Sequence, residues 1–315
     1  MQEHFINKYR SIAALLLCLL LAACATPQQT IEISKSPPDI PLTRELESTP
    51  FYPQRDYQCG PAALATVINY HQPETTIEQL IPLVYIPALK GSLQLEMLAA
   101  TSQFNRLAVK QDQKLTSILR EVAAGNPVLV MQNLGFESYP FWHYAVVIGY
   151  DLEQQTIILR SGEIKRLVRP LSVFERTWQR SNYWSVVVVP PKIMPPTAKE
   201  DPYTRAIVAF EAKASRQAIL TAYQTATKRW PRNYILQMGL GNAGYAVQDY
   251  AMAQQAFLSA TEIQPERAQA WNNLAYALLQ QGEKTQALSA IEKALVIEPD
   301  NREYINSYTE ISQSH

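Results

Sequence analysis

Hydrophobic residues in the first half of the chain recur at helical spacing in several stretches. From Cys59 to Tyr70 the apolar residues Ala62, Leu64, Val67 and Ile68 approximate one face, which predicts a helix with one buried face. Thr75-Thr76-Ile77-Glu78 has the pattern of a capping box and predicts the start of a second helix. Further helices are predicted over about 92–103 and 114–124.

Shorter apolar runs follow and predict β-strands. These runs cover 127–132, 143–150, 156–160 and 183–189. Helices first and an antiparallel sheet afterwards make an α+β domain, which we place at residues 49–190. Before it, residues 24–48 are rich in Pro, Thr, Ser and Gln and have no sustained apolar period. This stretch is therefore predicted to be a tether.

The last third of the chain has a different pattern, an internal repeat with a period of 34 residues. The period appears in Pro231, Pro265 and Pro299, in Ala226, Ala260 and Ala294, in Tyr223, Phe257 and Ile291, and in the pair Ala253 and Ala287. Two proline pairs precede it and mark a linker at 191–200. We therefore predict a second, all-α domain over 201–315.

The segment Ala270-Trp271-Asn272-Asn273-Leu274-Ala275-Tyr276, with Gly282, Ala287 and Pro299 behind it, resembles a tetratricopeptide repeat. Clear repeats cover 234–267 and 268–301, and a degenerate one covers about 201–233, which reaches the minimum for a stable stack. The resemblance implies a concave helical surface that binds a protein partner or substrate.

The composition narrows the possible partners. With 315 residues the chain is long enough for two domains, and its 28 basic and 28 acidic residues cancel. No broad cationic field is available for nucleic acid, so nucleic-acid binding is not expected.

The N-terminus has the features of an export signal. Lys8 and Arg10 precede an apolar run over 12–23 that is too short to span a bilayer comfortably, so cleavage of residues 1–23 is predicted. Leu21-Ala22-Ala23-Cys24 resembles the bacterial lipobox, which implies that Cys24 is lipidated. The resemblance further implies, from Ala25, an exported lipoprotein at the periplasmic face of the outer membrane.

Cysteine usage then singles out Cys59. Cys18 leaves with the signal and Cys24 carries lipid, so Cys59 has no partner left in the chain. A lone thiol in an oxidising compartment needs a functional reason. Cys59 begins the predicted helix, where the dipole and free N–H groups lower a thiol pKa, and Gly60 and Pro61 suit a helix start.

A cysteine nucleophile needs a base and an oxyanion donor. His4 lies in the signal, His315 ends the chain, and His71 lies at the far end of the Cys59 helix, about 18 Å away. This elimination favours His143, at the start of a predicted strand. Gln54 is the favoured oxyanion donor. The rival donor, Gln58, is adjacent to the nucleophile in sequence and is expected to point elsewhere.

These residues carry a family resemblance. Gln54 with Cys59-Gly60-Pro61-Ala62-Ala63-Leu64, and later His143-Tyr144-Ala145-Val146-Val147-Ile148-Gly149-Tyr150-Asp151, resembles the bacteriocin-leader-processing (double-glycine) peptidases. The resemblance covers about 140 residues and implies a papain-like domain with Cys59 as nucleophile, His143 as base and Gln54 at the oxyanion hole. It implies no metal or organic cofactor.

One position departs from that family. Its members orient the histidine with an Asp, often in an Asp-Pro pair after the next strand, whereas this chain has Ser161-Gly162. Hairpin register places residues 161–163 opposite His143, which favours Ser161 or Glu163 over Asp151 as the orienting group. Ser161 is the preferred candidate because its hydroxyl accepts the imidazole N–H without adding a charge.

Three functions follow from these patterns. The leading hypothesis is a membrane-anchored cysteine peptidase that cuts a peptide or protein substrate, with the repeats holding a protein partner. The alternatives are a cell-wall amidase or transpeptidase, against which Cys-Gly-Pro argues, and a catalytically degenerate peptide-binding or scaffold lipoprotein, which the missing acidic partner favours. Because the chain carries no transporter and is predicted to be exported, the double-glycine leader substrates of the family do not carry over.

Overall fold

A computed structural model of the protein describes residues 26–54, 58–73 and 75–314. Within these residues an antiparallel sheet with flanking helices precedes a run of helices, so the predicted order of an α+β part and an all-α part is confirmed. The predicted signal and Cys24 lie outside the described residues. No helix of the described part is both long and apolar enough to cross a bilayer.

The α+β part contains α1 to α6 and β1 to β7. The helices are α1 (Gln28–Lys35), α2 (Cys59–Ile68), α3 (Ile77–Val84), α4 (Gln94–Gln103), α5 (Leu115–Ala123) and α6 (Leu171–Gln179). The strands are β1 (Thr43–Glu45), β2 (Leu107–Lys110), β3 (Val128–Asn133), β4 (Trp142–Asp151), β5 (Thr156–Ser161), β6 (Ile164–Pro170) and β7 (Ser185–Val189).

The strands form one antiparallel sheet in the order β2-β7-β3-β4-β5-β6, and β1 pairs with the end of β4. β4 is the centre of this arrangement because it pairs with three strands along its ten residues. Side chains alternate between the two faces of β4. Tyr144 points to the face that holds Ser92 before α4, whereas His143 points to the face of α6, as does its pairing partner Gln132, which bonds to Thr177.

Several elements escaped prediction. β2 has only four residues and β6 is largely exposed, so neither shows a clear apolar period. α6 does show one, since Leu171, Phe174 and Trp178 lie at helical spacing, and its signal was overlooked. The capping box of α3 forms between Thr76 and Gln79, one residue later than the predicted pattern.

The predicted tether also differs from the structure, because α1 and β1 lie within it. The N-terminus of α1 is held by Glu175 of α6, whose buried carboxylate accepts the backbone N–H groups of Gln29 at 3.0 Å and Thr30 at 2.6 Å. A carboxylate at a helix N-terminus accepts hydrogen bonds from N–H groups that have no partner within the helix, and it interacts favourably with the helix dipole. Because this partner lies 145 residues away, no local pattern announces the helix.

The predicted linker likewise docks on the sheet domain. Thr197 donates its backbone N–H to Glu121 at 3.0 Å and contacts Glu121 and Gln111 through its hydroxyl. Lys199 pairs with Asp112 at 3.0 Å. Burial raises the pKa of Glu121, more than its hydrogen bonds to Thr197 and Asn126 lower it.

The all-α part contains seven helices within the described residues. These are α7 (Glu200–Phe210), α8 (Arg216–Arg229), α9 (Tyr234–Ala246), α10 (Tyr250–Ile263), α11 (Ala268–Leu279), α12 (Lys284–Ile297) and α13 (Arg302–Gln313). The 34-residue register places Tyr223, Phe257 and Ile291 at matching buried positions of α8, α10 and α12. Close helix contact explains Gly239, where a Cβ atom would come within 2.2 Å of the Tyr223 ring.

The two parts share a core. Tyr203, Ile207 and Phe210 of α7 belong to the same buried apolar cluster as the strands, and α7 packs against the edge strand β2. The first helices of the all-α part therefore pack as an extension of the sheet domain, and a second buried apolar cluster begins at Met238 and covers the later helices.

The contact that holds α1 gives a first prediction. Replacing Glu175 by Ala leaves the N–H groups of Gln29 and Thr30 without their buried partner, and hydrogen bonds to charged groups contribute about 1.5–3 kcal/mol each. We expect Glu175→Ala to lower the free energy of unfolding by about 3 kcal/mol in urea titrations and to expose residues 28–35 to proteases. The exposed Glu153→Ala serves as control and should change neither. Equal stability of the two variants would contradict the assigned role of Glu175.

Candidate active site

Helix α2 places Cys59 at its first position. Gly60 is required there, because a Cβ atom on it would come within 2.2 Å of the Ser92 Oγ atom. Pro61 lies in the first turn, where its missing N–H costs no helical hydrogen bond. Cys59 is half-buried and is the one cysteine among the described residues, with a free thiol.

The Cys59 sulfur lies among backbone donors. The N–H groups of Tyr144, Gly60 and Cys59 itself bond to it and lower its pKa. Burial acts in the opposite direction and is the larger cause, so the pKa of Cys59 is raised above the ordinary thiol value. This corrects the expectation from sequence that a helix N-terminus lowers it. At neutral pH Cys59 is a thiol.

A gap in the sheet creates this environment. β5 pairs with β4 from Asp151 to Val146 and then stops, so β5 has left the ladder before Tyr144. In an antiparallel strand the N–H and C=O of one residue point to the same side. The N–H of Tyr144 bonds to Cys59, and its C=O lies 3.5 Å from Gln54 Nε2. One strand residue therefore contacts both the candidate nucleophile and the candidate oxyanion donor.

His143 precedes Tyr144 and is buried. Its Nε2 atom lies 2.9 Å from Ser161 Oγ, which leaves Nδ1 as the ring nitrogen for proton exchange. Burial lowers the pKa of His143 to about 4, so the ring is neutral at neutral pH. Of the other candidates for its partner, Asp151 lies at the far end of β4 and accepts the N–H of Gln154, while Glu163 is exposed in the β5–β6 turn.

Gln54 lies beside the same strand. Its backbone N–H donates to the Gly162 carbonyl at 3.3 Å, which fixes the loop before α2 to the end of β5. Its side-chain contact with Tyr144 is long for a hydrogen bond, so the amide can exchange this acceptor for another at small cost. Gln58 accepts from Ala62 through its backbone carbonyl.

His71 lies near neither Cys59 nor Gln54. It lies beyond the C-terminal end of α2 and packs edge-on against Tyr70. Burial, more than the nearby positive charge of Arg106, lowers its pKa.

Sequence reasoning missed Tyr144 and Ser92. Tyr144 acts through its backbone and through its hydroxyl, which donates to the Ser92 carbonyl at 3.2 Å. Burial, then the nearby Cys59 and Glu96, raises its pKa, so the phenol stays protonated. A tyrosine within an apolar strand gives no sequence sign of either role.

Comparisons with known proteins find two matching regions of the chain. Residues 46–186 match the Peptidase_C39 like family, and residues 268–301 match the tetratricopeptide repeat. No curated protein matches the chain.

Solved structures are similar to each part in turn. A C39-like peptidase from Bacillus anthracis is 16% identical, covers 47% of this chain and 97% of its own, and gives a TM-score of 0.40. The first tetratricopeptide domain of Spaghetti (RPAP3), bound to an HSP90 peptide, is 19% identical, with coverage of 36% and 91% and a TM-score of 0.35. The tetratricopeptide domain of Sgt2 from Aspergillus fumigatus is 21% identical, with coverage of 38% and 80% and a TM-score of 0.34.

The neutral state of His143 gives a second prediction. The unfolded chain binds a proton on this ring below pH 6.5, whereas the folded chain resists protonation until about pH 4. Stability contributed by the neutral ring is therefore lost as the pH falls from 6.5 towards 4.

Between pH 7.5 and pH 5 the free energy of unfolding should fall by about 2 kcal/mol more in wild type than in His143→Gln. Urea unfolding at both pH values measures this difference. Because His71 is present in both proteins, its titration cancels in the comparison. Identical losses would show that His143 titrates normally in the folded protein.

Proposed function

Because residues 46–186 match the Peptidase_C39 like family and residues 268–301 match the tetratricopeptide repeat, we propose that this chain is a cysteine peptidase whose repeats hold a protein partner or substrate. The observation that carries the proposal is the convergence at Tyr144, where Cys59 meets the N–H and Gln54 the C=O, with His143 as the neighbouring residue.

Acylation begins from a neutral pair. We assign the tautomer in which His143 donates Nε2–H to Ser161 Oγ, which leaves Nδ1 unprotonated. Nδ1 accepts the thiol proton of Cys59 when substrate binding brings the two groups within reach. The sulfur then bonds to the scissile carbonyl carbon, and the π electrons move to the oxygen. When the intermediate collapses, the C–N bond breaks and Nδ1 returns the proton to the leaving amine. Water then adds to the thioester carbonyl and gives a proton to Nδ1. The C–S bond breaks, the acid leaves, and the sulfur takes the proton back from Nδ1.

Gln54 is assigned to the oxyanion. Its amide leaves the long contact with the Tyr144 carbonyl and donates to the developing negative charge, together with the N–H of Cys59. This exchange strengthens the interaction as the charge develops, which lowers the barrier more than it stabilises the substrate.

Ser161 is assigned as the positioning residue for His143. Its hydroxyl holds the ring at Nε2 but supplies no negative charge to stabilise an imidazolium. The ion pair of thiolate and imidazolium is therefore scarce at rest, and the proton moves when the substrate is bound.

The pKa shifts of Cys59 and His143 favour a second candidate function. A raised thiol pKa beside a lowered imidazole pKa is also what a binding domain with a disused site would have. In that case the chain is a peptide-binding lipoprotein whose function is carried mainly by the repeats.

We place the protein on a membrane through lipid on Cys24, at the periplasmic face of the outer membrane. The apolar run ending at Cys24 supports this proposal. α1 begins at Gln28, four residues later, and four residues span at most about 14 Å. The docked helix would hold the sheet domain close to the lipid surface.

The repeats offer a concave surface for the partner. Asn242, Tyr245, Asn273 and Tyr276 line a cavity of about 370 Å³, and the two asparagines are bonded at 3.1 Å. Amide and hydroxyl groups in a row suit the backbone of an extended peptide.

Activity is tested with reagents that need no known substrate. An epoxide-type cysteine probe should label the purified protein at neutral pH, should fail on Cys59→Ala, and should react about 100-fold more slowly with His143→Ala. Labelling at the rate of an ordinary thiol, with the same rate in His143→Ala, would refute the peptidase hypothesis. The hypothesis of a binding protein would then remain.

A separate readout tests Gln54. Acylation by p-nitrophenyl acetate creates an oxyanion, whereas alkylation by iodoacetamide does not. Gln54→Ala should slow acylation about 100-fold and leave alkylation unchanged. Gln58→Ala is the matched control and should affect neither; the opposite result would move the oxyanion role to Gln58.

The role of Ser161 predicts a gain of reactivity. In Ser161→Asp a carboxylate beside the ring raises the pKa of His143 and favours the ion pair. Iodoacetamide labelling at pH 7 should rise about tenfold, and the rise should begin at lower pH than in wild type. Ser161→Asn has the same shape without the charge and should show no rise. Equal rates for Asp and Asn would exclude a contact between residue 161 and the working ring.

A further inference from the structure

The hairpin loop between β3 and β4 carries exposed aromatic side chains. We call residues 134–142 the aromatic hairpin. Its exposed large apolar residues are Leu134, Phe136, Tyr139, Phe141 and Trp142. Phe136 is 76% and Tyr139 is 83% exposed. Single exposed apolar residues are ordinary, whereas a group of five within nine positions is a feature typical of an interaction site.

The loop is held rigid from below. The buried side chain of Asn133 accepts the N–H groups of Gly135 and Phe141, both at 2.9 Å, and donates to the Phe136 carbonyl at 3.2 Å. Arg180 donates to the Gly135 carbonyl at 2.7 Å. A loop fixed by buried polar groups presents its aromatic side chains at little entropic cost on binding.

Gly135 shows how tightly the loop is folded. A Cβ atom there would come within 2.5 Å of the Tyr139 carbonyl oxygen and 2.9 Å of the Phe141 nitrogen. Phe136 and Tyr139 exchange backbone hydrogen bonds at 3.2 and 3.3 Å across the tip. The aromatic side chains therefore project outward from a closed backbone.

The hairpin adjoins the candidate active site. Trp142 immediately precedes His143 and shares a face of β4 with Tyr144, the residue that bonds to the Cys59 sulfur. On that face Met131 is paired with Tyr144 and contacts Gln94. Leu93, next to Gln94, is an exposed apolar residue.

We propose that the aromatic hairpin is the substrate-selecting wall of this site and receives an apolar or aromatic side chain of the polypeptide beside the scissile bond. This inference rests on the proposed peptidase function and adds the substrate class to it. The one charged residue in the hairpin is Glu137. A loop that inserts into an anionic membrane carries Lys or Arg, so the charge favours a polypeptide occupant.

The experiment compares two peptidyl epoxides that differ only in Phe or Ser at one position next to the reactive group. Wild type should react at least about tenfold faster with the Phe probe, since burying an aromatic ring favours binding. Phe141→Ser and Trp142→Ser should abolish this preference, so that the two probes react at equal rates. Val296→Ser, at a still more exposed apolar position on α12, should keep the preference.

Asn133→Ala tests the rigidity of the hairpin without removing an aromatic ring. It should weaken the preference for the Phe probe severalfold through a higher half-saturating concentration, with the maximal rate retained. A preference that survives in Asn133→Ala and in Phe141→Ser would overturn the proposal. So would vesicle binding or dimer formation that Phe141→Ser abolishes while probe selectivity stays unchanged.

A binding measurement without chemistry distinguishes failure of the peptidase function from failure of the substrate-selecting wall. The Phe and Ser peptides without the epoxide are titrated into Cys59→Ala, with tryptophan fluorescence as the readout. Tighter binding of the Phe peptide, lost in Cys59→Ala with Phe141→Ser, supports the wall even when Cys59 proves unreactive. If both peptides bind Cys59→Ala equally while wild type has an activated thiol, the proposed wall is refuted. The proposed peptidase function is then unaffected.

Discussion

The interrupted pairing between β4 and β5 is the constraint on which the candidate site depends. A continuous ladder would occupy both backbone groups of Tyr144 with β5, and neither Cys59 nor Gln54 would have a place beside the strand. The interruption also turns Ser161 towards His143. Helix α2, the loop before it and the end of β5 therefore meet at one residue. Buried backbone groups must be paired, and here the pairing itself assembles the site.

Burial gives this site both its order and its low resting charge. The packing that fixes Cys59 and His143 also removes them from water, and desolvation opposes the charged form of each. A carboxylate at position 161 would compensate the charge on the ring, whereas the hydroxyl of Ser161 only orients it. The enzyme proposed here must therefore move its proton in the transition state. Such a site relies on substrate binding to align the reacting atoms, which makes the walls of the cleft part of the chemistry.

Sequence patterns predicted the features that local chemistry determines. The start of α2 at Cys59 follows from Gly60 and Pro61, and the 34-residue period follows from the packing of Tyr223, Phe257 and Ile291. Patterns failed where the cause is distant in the chain, as for α1, which depends on Glu175. They also failed where burial reverses a local effect, as for the pKa of Cys59. The role of Tyr144 lies in its backbone, which no side-chain pattern encodes.

The shared core between the two parts limits how the repeats can act. α7 packs on the edge strand β2, and Thr197 ties the preceding segment to Glu121 and Gln111, so the stack starts from a fixed position on the sheet. A flexible linker would raise only the local concentration of a bound partner. A docked stack also fixes the partner's direction relative to β4. A polypeptide held along Asn242 and Asn273 would then approach the site from one side, and its length as well as its side chains would decide whether it reaches Cys59.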